Sequence, residues 1–104
     1  MLLVTTQGVP GREVAESLGL VKGSTVRAKH VGSDVVAAFR NLVGGEVKEY
    51  AALLAGAREQ ALDRMGEQAR ALGADAVVAV RLETSTIQAA AAEIVAYGTA
   101  VRLK

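Results

Sequence analysis

Cysteine is absent from the 104 residues, which excludes disulfides, thiolate nucleophiles and cysteine-based metal sites. Histidine occurs once, at His30. One imidazole cannot build a multi-histidine metal centre within a chain, and without a thiol it leaves nucleophilic catalysis little to work with. Aromatic residues make up only 3% and proline occurs once. Charge of one sign is not in excess either: 12 basic residues stand against 11 acidic ones. That balance lacks the clustered basic surplus of a nucleic-acid-binding domain. No run of about 20 apolar residues is present to span a membrane as a helix. The opening "MLLVTTQGV" is apolar for only a few residues and lacks a basic region, unlike a secretory signal. The expected compartment is the cytoplasm.

What the chain does contain is small apolar residues. Hydrophobic residues account for 51% and mean hydropathy is +0.28, carried mostly by alanine, valine and leucine. The length suits one domain, residues 1–104. It also implies more apolar surface than one small core hides. Large exposed apolar patches are rare on soluble monomers, so part of that surface is expected in a subunit interface.

Residues 2–6 are apolar and β-branched, which predicts a strand. "GVPG" then gives a turn, and Val14, Ala15 and Leu18 at helical spacing predict a short helix over 12–18, closed by Gly19 as a left-handed cap. Residues 20–30 read as a strand, with a turn or bulge at Gly23. Ser33 or Asp34 is placed to cap a helix that buries Val35, Val36, Phe39, Leu42 and Val43. Residues 46–72 carry the longest pattern. Tyr50, Leu53, Leu54, Ala57, Ala61, Leu62, Met65, Ala69 and Leu72 recur mostly at steps of three and four, giving one apolar stripe. Arg58, Glu59, Asp63, Arg64, Glu67 and Arg70 fall off it. Gly56 and Gly66 interrupt this helix, each as a place where another backbone could approach, and Gly73 ends it. Residues 74–85 predict a strand with Val78, Val80 and Leu82 on one face and Val77, Ala79, Arg81 and Glu83 on the other. Residues 89–103 predict a last, antiparallel strand with Val95, Tyr97, Thr99, Val101 and Leu103 on one face. The fold class is α+β: a small antiparallel or mixed sheet packed with helices, one of them long.

No catalytic constellation stands out. Gly44-Gly45 precedes a long helix, where converging N–H groups can hold an anion. The pair lacks the Lys-Ser/Thr of a Walker loop and the three spaced glycines of a dinucleotide fold, and Glu46 competes for the positive end of the helix dipole. The plainer reading is a junction that sets the angle between two helices. Candidate ligand contacts are Gly44, Gly45, Glu46, Tyr50, Arg58 and Glu59, the last three as the lining of a groove. His30 and Asp34 could share an ion with Glu59 only if symmetry repeated them in an oligomer. The two methionines are scattered, and Met65 on the apolar stripe reads as core.

The segments "LGLVKG" (18–23), "VGGEVKEYAALLAGAREQALDRM" (43–65), "ARALGADAVVAVRLETS" (69–85) and "YGTAV" (97–101) follow one another in an order that resembles the YbjQ-like family of small bacterial and archaeal proteins. The resemblance spans nearly the whole chain. It implies an α+β subunit assembled into a ring-like homopentamer, in a family often labelled as heavy-metal-binding. The expectation is a non-enzymatic, self-associating binding or scaffold domain with no cofactor, no nucleic-acid partner and no membrane partner; its small ligand is not named by the sequence. One alternative is a protein that binds a divalent transition metal through oxygen and nitrogen ligands at subunit contacts. Another is an enzyme acting on a small anionic substrate near Gly44-Gly45.

Overall fold

The computed structural model describes residues 1–28, 45–88 and 91–104. They form a mixed four-stranded sheet and one long helix. The strands are β1 (Leu2–Leu3), β2 (Val14–Ala28), β3 (Ala76–Gln88) and β4 (Ala91–Leu103), and the helix is α1 (Gly45–Ala71). The sheet order is β1-β3-β4-β2. β4 runs antiparallel to both neighbours, and β1 lies parallel to β3. The helix predicted over 33–43 lies outside the described residues.

Helix α1 lies mainly over β2, less over β4 and least over β3. Its stripe is as the spacing predicts in the centre: Ala57, Ala61, Met65 and Ala69 are fully buried, against Val21, Ile94, Ala96 and Ala100 of the sheet. Leu72, past the helix end, is exposed instead. Such small side chains bring helix and sheet close together. The glycine that permits the approach is on the strand, not the helix. A Cβ on Gly23 would collide with the backbone at Ala61 O and Met65 N. Gly23 is therefore a contact point with no register shift beside it, rather than a bulge. Among the described residues nothing stands within 4 Å of a Cβ added at Gly56 and only the Met1 side chain does at Gly66, so neither meets a close backbone there.

The C-terminus of α1 is a Schellman cap. Gly73 adopts φ +80°, its N–H donates to Arg70 O (3.0 Å), and the Ala74 N–H donates to Ala69 O (3.1 Å).

Residues 12–18 are not a helix. Arg12 bridges back to Val9, and from Val14 the chain is β2, where Val14 pairs with Leu103 and Ser17 with Val101. A seven-residue helix would be marginal by itself, whereas the strand gains a full ladder with the chain's C-terminal end. Gly19 does take a left-handed φ of +103°, but inside the strand, where the β2–β4 register shifts between Ser17 and Gly19. The left-handed glycine marks an irregularity of the ladder and not a helix end.

A second irregularity divides the sheet. Ala79 sits at φ 54°, and the β3–β4 register shifts between Val78 and Arg81. One extra residue on β3 reverses the alternation, so Val77 and Val80 both join the core under α1 while Val78 turns to the opposite face. The predicted grouping of Val78 with Val80 is corrected by this bulge. Gly98 faces it from β4, and a Cβ there would lie 2.7 Å from Val77 Cγ1 and 2.9 Å from Val78 O. The N-terminal chain is tied to the same place. Val4 N–H donates to Val77 O (2.9 Å), Ala79 N–H to Thr6 O (2.7 Å) and Val80 N–H to Val4 O (3.0 Å). The strand predicted over 2–6 thus shortens to two ladder residues followed by a chain that keeps bonding across the bulge.

On the near side of the bulge the sheet is covered twice. One face meets α1; on the other, Ala76, Val78 and Val101 pack under Val4, Val9 and Leu103. On the far side, among the described residues, only the face under α1 has a cover. Here Tyr97 lies between Lys22 and Arg81, Val95 between Ser24 and Glu83, and Glu93 between Val26 and Ser85. Val26 is 58% exposed on this face, and Leu82 is 43% exposed on the other, beside the helix.

Candidate functional site

Gly45 opens α1, as the junction reading of the glycine pair expects on its C-terminal side; Glu46 and Tyr50 lie within the first turns of that helix. Gly44, His30 and Asp34 lie outside the described residues. Arg58 and Glu59 are exposed residues of α1, as expected of positions off the apolar stripe.

The polar side chains that α1 does use reach sideways to β2. Gln68 Oε1 accepts from the Lys22 N–H (2.7 Å), and Arg64 Nη1 donates to Ser24 O (2.6 Å). Arg27 Nη2 donates to Gln60 Oε1 (2.6 Å). Beneath them Thr25 is 3% exposed, and its hydroxyl has no hydrogen-bond partner among the described residues.

A shallow groove of about 280 Å³ runs between the N-terminal strand and α1. Met1, Leu3 and Leu62 give it an apolar floor; Asp63, Glu67 and Arg70 stand at its rim. The sequence places Asp63, Glu67 and Arg70 at helical steps of four and three, so they share one side of the helix. The sequence gives no sign that the chain start lies against that side, because β1 docks there only through its parallel pairing with β3. Chemically the groove offers two exposed carboxylates and a guanidinium. Among the described residues no three His, Cys, Asp or Glu side chains come together as a metal-holding set. No helix among them is long and apolar enough to cross a membrane.

These features define a class: a small α+β fold with a mixed sheet, one long covering helix and polar groups spread along exposed surfaces. The family model YbjQ_1, described as "Putative heavy-metal-binding", matches residues 1–104. A UPF0145 protein of Archaeoglobus fulgidus is 59% identical over 104 residues, covering 100% of this chain and 96% of that one. One of Methanoculleus marisnigri is 60% identical over 103 residues, covering 99% and 96%. One of Clostridioides difficile is 54% identical over 104 residues, covering 100% and 93%. The chain belongs to the YbjQ-like family, whose curated relatives carry the UPF0145 name. The fold also matches a crystal structure of a protein of unknown function from the DUF74 family of Pediococcus pentosaceus. The TM-score is 0.62 at 14% identity, over 100% of this chain and 98% of that one.

Proposed function

We propose that this protein is a non-enzymatic binding or scaffold subunit that assembles with copies of itself, in the five-membered ring that its family resemblance implies. The observation that carries the reading is the far part of the sheet, one face of which none of the described residues covers. Its chain leaves Val26 and Leu82 in water, and the Cα radius of gyration is 16.9 Å, against about 13 Å for a compact domain of this length. An elongated subunit with apolar side chains on two faces has a use for neighbours. The scatter of polar groups supports a binding or scaffold role over turnover, and the cytoplasm, where unpaired small domains need no disulfides, is the fitting compartment.

A second reading follows from the description of the matching family model. Thiolates are absent from the chain, and soft-metal sites favour sulfur and imidazole. The described residues of one chain do not fit a heavy-metal centre. A metal would need oxygen and nitrogen ligands gathered at subunit contacts, with His30, Asp34 and Glu59 as the candidates.

Native mass spectrometry of the purified protein, with and without zinc, copper and nickel, tests both readings at once. The expected result is a five-fold species with no added mass. A monomer at all concentrations overturns the assembly. Stoichiometric metal that is lost in His30→Ala or Glu59→Ala would establish the second reading.

A further inference from the structure

Packing does not require Gly66 to be a glycine. It lies inside α1, where glycine is a poorer helix former than alanine. Its φ is not left-handed. Among the described residues, a Cβ built on it would come within 4 Å of Met1 Cγ alone, at an ordinary 3.9 Å. That methyl would instead take space from the groove of about 280 Å³ beside Met1, which Gly66 lines. The groove is just smaller than the roughly 300–1,000 Å³ of sites for drug-sized ligands, so what it holds is a smaller molecule. Its chemistry is mixed: Met1, Leu3 and Leu62 give an apolar floor, while Asp63, Glu67 and Arg70 line the rim. Asp63 and Glu67 stand one helical turn apart, a rise of about 6 Å, and Arg70 follows about 4.5 Å further along. Two carboxylates at this spacing repel each other, and a cation between them relieves the repulsion. The guanidinium one turn on offers a fork for a carboxylate.

We propose that this groove binds a free α-amino acid with an apolar side chain. The ligand's ammonium group sits between Asp63 and Glu67, its carboxylate meets Arg70, and its side chain lies on Met1, Leu3 and Leu62. The methyl that Gly66 lacks leaves it room. The proposal rests on the binding role proposed above and gives that role a site and a ligand class. Asp63, Glu67 and Arg70 are exposed, so each ion pair contributes little and the dissociation constant is on the order of 1 mM.

The test is nuclear magnetic resonance of the isotope-labelled full chain titrated with L-leucine, with native mass spectrometry of the same samples. Leucine is expected to shift the amide signals of Gly66 and Glu67 saturably. Leucine methyl ester lacks the carboxylate and N-acetyl-leucine lacks the ammonium group. Each is expected to bind at least about threefold more weakly, the worth of one exposed ion pair. Arg70→Gln should weaken leucine by the same factor and leave the ester unchanged, a coupling that a merely structural effect would not show. Gly66→Ala should weaken leucine at least about fivefold by crowding the groove, while raising Tm. Unshifted Gly66 and Glu67 amides at leucine well above that dissociation constant, ester binding equal to that of leucine, or wild-type binding by Gly66→Ala overturns the groove as an amino-acid site. Self-association is read separately from the mass spectra and stands if the groove fails. A monomer that binds leucine overturns the assembly alone and upholds the groove.

Discussion

The same sheet is two different structures on either side of the Ala79 bulge. Near the chain ends it is a three-layer sandwich, with α1 on one face and the N-terminal segment on the other. Beyond the bulge the described residues cover one face only, and β3 lies largely outside the shadow of the helix. The strands differ as well: β3 reads AVVAV over 76–80 in the near part and the more polar LETSTIQ over 82–88 in the far part. The buried core lies mostly in the near part and under α1. In the far part Val26 and Leu82 stay exposed, where apolar side chains gain nothing from burial.

The comparison can be broken at its most constrained point. Gly23→Val would drive a branched side chain into the backbone of α1 at Ala61 and Met65, displacing the helix that covers the far part. The expected cost is about 4 kcal/mol or more, at the upper end of overpacking effects, read by urea denaturation. A loss under about 1 kcal/mol would mean that helix and sheet are not in close register. A matched pair sharpens the contrast. Val101→Ala, in the near part at 2% exposure, should cost about 1–2 kcal/mol. Val26→Ala, in the far part, should change subunit stability by less than about 0.5 kcal/mol. Equal effects in the same denaturation experiment would erase the distinction between the two parts. The smallest change concerns the boundary. Ala79→Gly relieves a left-handed alanine and should stabilise by about 0.5–1 kcal/mol, visible as a raised Tm. A destabilisation would show that the alanine methyl contributes more than its backbone conformation costs.

Much of this architecture is legible in the chain. The long helix, its stripe from Ala57 to Ala69 and its glycine stop follow from spacing and from the left-handed tolerance of Gly73. The last two strands follow from β-branched runs. What escapes the local pattern is set by distant partners. Residues 12–18 have helical spacing, yet the ladder with β4 makes them strand. Val78 and Val80 alternate on paper, yet the bulge separates them, and nothing about an alanine announces a left-handed conformation. Gly23 is readable as special, but only the helix backbone above it shows why. The groove beside Met1 depends on a two-residue parallel pairing that no periodicity could signal. Arg58 and Glu59 follow the stripe rule and are exposed on α1.

The register of β2 with β4 has a consequence for how the molecule folds. Val14 pairs with Leu103, and Leu2 with Ala76. Strands β1 and β2 precede α1 in the chain, and their ladder partners β3 and β4 follow it. The helix can organise locally, whereas each of these ladders must first close a long loop. Such high contact order slows folding, so pairing of the distant strands is expected to be the slow step.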